Sequence, residues 1–230
     1  MELFDRAVVL GSREAVFHRC ASCGLIAALE PNWLDDAYAS AIYDGDSGLL
    51  KRSRRLSRVT ELLVRSEGIT GGRFLDWGGG YGTLTRMMRD RGFDFYWSDA
   101  YAKNLLAPGF DGDERAAYAL VTAFEVMEHL ADPVGELASV AEHNDRILFT
   151  TQVQPAVPPR PATWHYYALD SGQHISFHTV RSLRIVAERL NYDLTSNGDN
   201  LHLFHRVPLK STTRLLLEPS LMRTVRLGAT

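Results

Sequence analysis

The sequence predicts an α/β protein with a doubly wound, mostly parallel sheet and an antiparallel strand at its C-terminal end. Short apolar runs alternate with helix-spaced segments over residues 48–152, a pattern that places helices on both faces of a parallel sheet. A glycine-rich turn at Gly78–Gly82 joins one of these runs to the helix that follows it. Two later apolar runs are joined by Asn197–Asn200, a short Asn/Gly/Asp connection typical of a hairpin.

The spacing of apolar residues sets the individual elements of this domain. Gly92 is placed to end one helix, and the pair Asp132-Pro133 suits the N-cap and first position of another. Around Asn104–Phe110 the third strand and its preceding helix are predicted to be abbreviated. In chain order, the predicted elements are a helix from Leu49 to about Ser66, a strand at Arg73–Trp77, a helix at Thr83–Arg91, a strand at Phe93–Ser98, a strand at Leu120–Phe124, a helix from about Pro133 to Glu142, a strand at Ile147–Thr151, a helix from about Thr179 to Leu190, and strands at Tyr192–Ser196 and Leu201–Val207.

Three regions flank or interrupt this pattern. Residues 1–47 are predicted to form a small, irregular N-terminal segment outside the 48–207 domain, and residues 208–230 a C-terminal tail. Residues 153–178 form a long segment rich in proline and aromatic residues. Loops of this length are uncommon unless they have a function, so we expect this segment to contribute to a site.

Composition narrows the class of protein and its partners. The net charge of −3 gives no general attraction to nucleic acid, which is not an expected partner. No apolar run reaches the roughly 18 residues needed to span a bilayer, so no membrane partner is expected. The N-terminus lacks a signal peptide, and the two cysteines lie close in sequence, which favours a reducing, cytoplasmic location. The oligomeric state stays open.

The turn after the first predicted strand has its own ligand preference. It reads Asp76-Trp-Gly78-Gly-Gly80-Tyr-Gly82-Thr83, whereas a dinucleotide fingerprint requires Gly-x-Gly-x-x-Gly. The carboxylate of Asp76 would repel a pyrophosphate and attract a cation. This favours S-adenosylmethionine, with its ammonium and sulfonium groups, over NAD as the cofactor.

The segment resembles motif I of class I S-adenosylmethionine-dependent methyltransferases. The resemblance implies that Asp76, Gly78, Gly80 and Gly82 contact the cofactor. Further residues with implied cofactor contacts are Asp99 at the ribose hydroxyls, Ala100 and Tyr101 beside the adenine, and Phe124 and Glu125.

Tyr118–Leu130 resembles the strand that carries motif IV in this family, although Ala119 stands where the family usually has an acidic residue. The later part of the chain resembles a subset linked to the modification of surface glycans and nucleotide sugars. The implied activity is methyl transfer to a small-molecule acceptor, on a hydroxyl or carbon of a sugar or related metabolite. Two alternatives stay open: a metal-dependent RNA 2′-O-methyltransferase, and a non-catalytic partner protein that binds S-adenosylmethionine.

Glu125-x-x-Glu128-His129 is the second distinctive cluster. It resembles an element of small-RNA 2′-O-methyltransferases that holds a divalent metal together with a later histidine, a position that His174 occupies here. Carboxylates with imidazoles suit Mn²⁺, Fe²⁺ or Zn²⁺ better than Mg²⁺. The alternative, which we favour at this stage, is that these four residues shape the pocket without metal.

The acceptor side is predicted within residues 153–178. Its wall is assigned to Trp164, Tyr166, Tyr167 and Gln173, because aromatic rings stack on the rings or sugar faces of a ligand. Within the same region, His174 is the candidate base or metal ligand, and His178 is the second catalytic candidate, since histidine accepts protons near neutral pH. The alternative for these residues is that they pack a lid.

Two further patterns have less specific interpretations. Cys20-x-x-Cys23-Gly24 resembles the second half of a zinc ribbon, but no second cysteine pair lies upstream, so we expect no zinc there. Lys51–Arg58 is a basic run that could contact phosphate, and we interpret it as the solvated face of a helix.

Overall fold

The computed structural model describes residues 1–38 and 48–217, which form two sheets with helices around the larger one. The strands are β1 (Glu2–Val9), β2 (Arg13–Arg19), β3 (Ile26–Ala28), β4 (Arg73–Trp77), β5 (Asp94–Ser98), β6 (Leu120–Phe124), β7 (Arg146–Thr150), β8 (Ser176–Phe177), β9 (Asp193–Ser196) and β10 (Leu201–His205). The helices are α1 (Leu34–Ala37), α2 (Leu49–Glu67), α3 (Thr83–Arg89), α4 (Pro133–Glu142), α5 (Val180–Arg189) and α6 (Ser211–Leu216). Short 3₁₀ turns cover Met127–His129, Pro161–Thr163 and His165–Tyr167. Within the described ranges, no helix is both long and apolar enough to cross a membrane.

The larger sheet confirms the predicted fold class. Its strand order is β5-β4-β6-β7-β10-β9, and the first four strands pair in parallel. β10 runs antiparallel to both β7 and β9, as the predicted C-terminal hairpin requires. The abbreviated third strand is a single bridge in which Asp111 pairs with Trp97 at the edge of the sheet.

Two apolar cores lie on the faces of this sheet. The side chains of β4, β6 and β7 alternate between them, so neighbouring strand residues such as Phe74 and Leu75 belong to different cores. One core packs α4 and α5 through Leu137 and Leu183. The other packs α2 and α3 through Leu63 and Met88. Both faces of the sheet are therefore covered, which directs a ligand to the carboxyl ends of the parallel strands.

The prediction of an irregular N-terminal segment is wrong. β1 and β2 form a hairpin whose turn places Leu10 and Gly11 at φ values of 52° and 71°, and β3 extends the sheet. The alternating burial of Ala15 and Phe17 in β2 is a strand signal that was present in the sequence. The far edge of this second sheet is β8, from the 153–178 segment, which pairs with β3.

The second sheet therefore shares a core with the long segment instead of standing apart. Phe17 meets the rings of Tyr167 and Phe177 at centroid distances of 5.1 and 5.9 Å. Trp33 Nε1 donates a hydrogen bond of 2.8 Å to the carbonyl of Gly172. The predicted domain boundary at residue 47 lies outside the described residues.

The described part of the C-terminal tail packs on the domain. α6 lies against α2, where the backbone amide of Lys210 and the hydroxyl of Thr213 both donate hydrogen bonds to the buried carboxylate of Glu67. Arg146 pairs with the same carboxylate at 3.4 Å. The remainder of the tail, 218–230, lies outside the described residues.

Candidate active site

A cavity of about 910 Å³ opens at the carboxyl ends of β4, β5 and β6. This volume lies within the roughly 300–1,000 Å³ that small-molecule sites occupy. One end is formed by the glycine-rich turn after β4, and the other by the 153–178 segment. Its lining includes Tyr38, Arg52, Arg55, Asp76, Gly78, Gly80, Asp99, Ala100, Tyr101, Phe124, Glu125, His129, Gln152, His165, Tyr166, Gln173, His174 and Asn200.

The glycine-rich turn after β4 requires glycine for two reasons, its backbone conformation and the closeness of neighbouring side chains. Gly78, Gly80 and Gly82 all have positive φ values, of 68°, 54° and 83°. A β-carbon on Gly78 would lie 2.5 Å from a methyl carbon of Val126, and one on Gly82 would lie 2.7 Å from Asn104 Oδ1. Glycine is therefore required at these positions by steric exclusion as well as by backbone conformation.

Asp76 anchors this turn from below. Its carboxylate is buried and accepts hydrogen bonds from the hydroxyls of Thr122, at 2.8 Å, and Thr85, at 3.2 Å. Burial raises the pKa of Asp76 to about 7, and the two hydroxyls oppose the shift. The Asp76 side chain therefore links β4 to β6 and α3 beneath the cavity.

Asp99 holds the turn from the next strand. One carboxylate oxygen accepts the amide of Gly80 at 2.8 Å, and the other accepts the amides of Tyr101 and Ala102 at 2.8 and 2.7 Å. The ring of Tyr101 stacks on Tyr38, with centroids 4.5 Å apart and planes 13° from parallel. Tyr38 therefore brings the N-terminal segment to the cofactor end of the cavity.

Glu125 has a strained backbone at the end of β6. Its φ of 56° is uncommon for a residue with a side chain. Its amide donates to Thr150 Oγ1 at 2.9 Å, and that hydroxyl donates to the Glu125 carboxylate at 2.7 Å. Arg52 lies 3.6 Å from the same carboxylate, and Arg55 also lines the cavity. The interpretation of the basic run as a solvated face is thus wrong for these two arginines.

Glu128, His129 and His174 form a cluster at one side of the cavity. Each offers one ligand atom, and these atoms all lie within 4.8 Å of one another. The Glu128 side chain is fully buried, and neither carboxyl oxygen makes a hydrogen bond within the described part of the chain. Burial, followed by the charge of Glu125, raises the pKa of Glu128 to about 8, against smaller opposing effects of the nearby Tyr166 and Thr151 hydroxyls.

Burial disfavours the protonated form of both imidazoles of the cluster. Burial lowers the pKa of His129 to about 3, and its Nδ1 lies 2.9 Å from the hydroxyl of Tyr38. Burial also lowers the pKa of His174, whose Nδ1 donates to the carbonyl of Tyr166 at 2.6 Å. Since Nδ1 of His174 carries the proton, its Nε2 keeps a lone pair that can accept a proton or bind a metal.

The structure separates the other predicted acceptor residues into two groups. Tyr166 and Gln173 line the cavity, and the Tyr166 hydroxyl accepts the amide of Gln152 at 2.9 Å. Trp164 and Tyr167 pack in the core of the second sheet instead, so their assignment to the acceptor wall is corrected. The pairing of β8 with β3 draws these two rings away from the cavity.

His178 also lies away from the cavity lining. Its two ring nitrogens approach Ser182 Oγ at 3.2 Å and the carbonyl of Met127 at 3.4 Å, and the side chain is fully buried. It therefore fixes α5 against the Met127–His129 turn and is not placed to meet an acceptor. The prediction of a catalytic role for His178 is corrected accordingly.

Several cavity residues have no signal that sequence reasoning found, among them Tyr38, Gln152 and Asn200. Asn200 belongs to the Asn197–Asn200 turn, for which the sequence pattern indicates only a connection between two strands. Tyr38 reaches the site through a fold that the N-terminal sequence did not reveal. Cys20 and Cys23 form no disulfide and lie in the turn between β2 and β3. They do not belong to the group of possible metal ligands found within the described residues, which is Glu128, His129 and His174.

The fold and the position of the cavity define a Rossmann-like α/β protein with a small-molecule site at the carboxyl edge of its sheet. A family model described as a methyltransferase domain matches residues 50–197. The chain belongs to this family of methyltransferase domains.

Solved structures share the fold at low identity. The pyocyanin biosynthetic protein PhzM is 16% identical with a TM-score of 0.50, and the match covers 77% of this chain and 64% of PhzM. CalO1, a methyltransferase of calicheamicin biosynthesis in its SAH-bound form, is 15% identical with a TM-score of 0.45, covering 78% of this chain and 61% of CalO1. This chain therefore spans less than two thirds of either structure. A search of curated proteins found no match.

Proposed function

We propose that this protein transfers the methyl group of S-adenosylmethionine to a hydroxyl or carbon of a small molecule, a sugar or a related metabolite. The observation that carries the proposal is that one continuous cavity is lined both by the glycine-rich turn and by His174 and Tyr166. With about 910 Å³, it has room for a cofactor and a small acceptor side by side.

The cofactor occupies the end formed by the turn, Asp99, Ala100, Tyr101, Phe124 and Glu125. Asp99 supports this placement because its carboxylate already orders the turn and lines the cavity, and its Oδ2, which accepts one amide, keeps a lone pair for a ribose hydroxyl. Asp76 acts through the turn that it anchors, since its carboxylate is buried and each of its oxygens accepts a threonine hydroxyl. Tyr38 and Tyr101 border the adenine.

The acceptor occupies the end formed by the 153–178 segment. Gln152, Tyr166, Gln173, His174 and Asn200 give this end many hydrogen-bonding groups, which suits a polyhydroxylated acceptor better than an apolar one. In the transfer to a hydroxyl, the acceptor oxygen forms a bond to the methyl carbon while the carbon–sulfur bond breaks. The bonding pair stays on sulfur as S-adenosylhomocysteine forms, and the hydroxyl proton leaves to His174 or to water.

Of the two alternatives, the metal-dependent RNA methyltransferase shares the Glu128, His129 and His174 cluster, but the charges of the cavity lining oppose an RNA acceptor. An RNA acceptor needs a basic approach, yet Glu114, Glu125 and Glu136 line the cavity beside Arg52 and Arg55. A non-catalytic binding protein has no use for an unprotonated histidine beside the cofactor, and His174 is such a group.

The test is a transfer assay with methyl-labelled S-adenosylmethionine. The purified protein is incubated with three sets of acceptors: nucleoside-diphosphate sugars and free sugars, small phenols, and short RNA. We expect label in a member of the sugar set and none in RNA. Label confined to RNA, or cofactor binding without transfer to any set, would overturn the proposal.

A further inference from the structure

Glu128 is a buried acid whose oxygens make no hydrogen bond of good geometry with the described residues, although the hydroxyls of Tyr166 and Thr151 lie near it. Its side chain is fully buried, and both carboxyl oxygens lack a hydrogen bond among the described residues. A buried polar group left unpaired costs free energy that hydrogen bonding normally offsets, and a carboxylate costs more than a neutral group. Such an exception in a native fold points to a ligand.

The groups around Glu128 are electron-pair donors. His129 and His174 each offer a ring nitrogen within 4.8 Å of a Glu128 oxygen and of each other. Their rings meet edge to face with centroids 4.9 Å apart, so both nitrogens converge on one small volume. The described cluster thus offers one carboxylate oxygen and two neutral nitrogens.

The contacts behind the two rings fit a metal site. His174 donates its Nδ1 proton to the carbonyl of Tyr166, which fixes the tautomer with Nε2 unprotonated. His129 has the Tyr38 hydroxyl 2.9 Å from its Nδ1. Histidines that bind metals almost always make such a hydrogen bond through the other nitrogen, because it orients the ring and raises its basicity.

We propose that Glu128, His129 and His174 bind one divalent transition-metal ion. Two imidazoles with one carboxylate favour Mn²⁺, Fe²⁺, Co²⁺ or Zn²⁺ over Mg²⁺ or Ca²⁺, which prefer oxygen ligands. The set differs from the four-residue group that the sequence pattern offered. Glu125 is excluded, since Thr150 and Arg52 engage its carboxylate.

The site leaves room for a further ligand. Three protein ligands converge within the described ranges, and His129 and His174 line the cavity. Metal sites with three protein ligands keep an open position for water or substrate. This open position would hold the acceptor oxygen, a step that rests on the proposed function. With the metal on Nε2 of His174, the hydroxyl proton leaves to water and not to this histidine. Metal binding itself does not depend on methyl transfer.

The test uses tag-free protein stripped with a chelator and titrated with Co²⁺, without cofactor or acceptor. We expect one equivalent to bind, with an absorbance change that reports nitrogen and oxygen ligands. Glu128→Gln should weaken binding at least about tenfold, since even the loss of a group that only supports a metal ligand typically costs about 10–100-fold in affinity. His165→Ala removes another cavity histidine as a matched control and should bind like the parent.

Thermal unfolding supplies a second readout. A ligand that binds only the folded state raises the melting temperature. Co²⁺ should therefore stabilise the parent and His165→Ala, but not Glu128→Gln. Without metal, Glu128→Gln should be about as stable as the parent, because a neutral amide of nearly the same shape replaces the buried acid. If Glu128→Gln does not fold, His174→Gln takes its place.

Two results would overturn the proposal. One is a folded parent that binds no stoichiometric Co²⁺, Mn²⁺ or Zn²⁺. The other is Co²⁺ affinity in Glu128→Gln and His174→Gln equal to that of the parent. Neither result bears on the proposed methyl transfer, which the labelled assay measures separately.

Discussion

At the scale of single residues, Asp99 determines the cofactor end of the cavity. Its three backbone hydrogen bonds fix the turn, and its carboxylate is the proposed acceptor of the ribose diol. Hydrogen bonds to a charged group are worth about 1.5–3 kcal/mol. Asp99→Ala should therefore weaken S-adenosylmethionine binding at least about tenfold in calorimetry. Asp90→Ala, which changes an exposed carboxylate outside the cavity, is the control.

The outcome that contradicts this assignment is an Asp99→Ala variant with the affinity of the parent. If Asp99→Ala does not fold, Asp99→Asn takes its place, because the asparagine retains one oxygen that can accept a hydrogen bond from the turn. That variant should fold like the parent and still bind the cofactor more weakly, because its neutral amide is a poorer partner for the diol.

His174 determines the acceptor end. Whether it accepts the proton or binds a metal, it needs the unprotonated nitrogen that its hydrogen bond to Tyr166 preserves. General bases contribute about 10²–10⁴-fold to rate. His174→Ala and His174→Gln should both lower turnover at least about a hundredfold while cofactor affinity is kept. His143→Ala, at an exposed position, should turn over like the parent.

Turnover of both His174 variants at the parental rate on the true acceptor would assign this histidine to packing. The metal proposal would be judged apart from that result, by the Co²⁺ titration. The rate measurement and the titration therefore give separate answers for the same side chain.

At the scale of elements, the second sheet forms one wall with the 153–178 segment. Trp33 is buried beside Gly172 and donates to its carbonyl across 139 positions of sequence. Trp33→Phe keeps most of the ring and removes this donor, so it should lower the free energy of unfolding by about 1 kcal/mol or somewhat more. Denaturant titration measures the change, with Trp164→Phe as the matched control.

The same substitution has a functional readout. The Trp33–Gly172 hydrogen bond lies next to Gln173 and His174, so its loss should raise the KM for the acceptor more than that for the cofactor. Equal changes in the two KM values, or no change in stability, would mean that the second sheet does not support the acceptor wall.

Local patterns explain which elements could be predicted from sequence. β4, β6 and α4 begin and end where the apolar spacing placed them, because the strands are mostly buried and α4 buries one face at helical spacing. β8 has only two residues and forms through pairing with β3, a contact that no local pattern encodes. The join between the second sheet and the long segment could therefore not be predicted, whereas the β1–β2 hairpin is a local pairing with a strand signal of its own.

The same distinction holds for the site. The positions of Asp76 and Asp99 beside the glycine-rich turn could be predicted from the strand ends and the glycine spacing. By contrast, Tyr38 meets His129 across 91 positions. His174 and His178 differ by four positions, yet β8 lies between them, so one faces the cavity and the other packs under α5. Only the long-range pairing decides which histidine is functional.

At the scale of the whole molecule, buried titratable groups link stability to pH. Burial lowers the pKa of both His178 and His202 to about 4. In the unfolded chain each would titrate near 6.5. Between these values the unfolded state binds more protons, so the stability that each neutral histidine contributes is complete above about pH 6.5 and is lost toward pH 4. Asp76 and Glu128, whose pKa values are raised to about 7 and 8, act in the opposite sense over the same range.

The contribution of one histidine can be isolated by comparing slopes. His202 is held by Ser196 Oγ at 2.8 Å and by the carbonyl of Thr151 at 3.0 Å, contacts that an uncharged glutamine can partly retain. One proton corresponds to about 1.4 kcal/mol per pH unit. Between pH 6 and 4.5, the free energy of unfolding of the parent should therefore rise with pH more steeply than that of His202→Gln, by about this amount. His143→Gln, at an exposed position, should keep the parental slope, and equal slopes for the parent and His202→Gln would show that His202 is protonated in the folded protein.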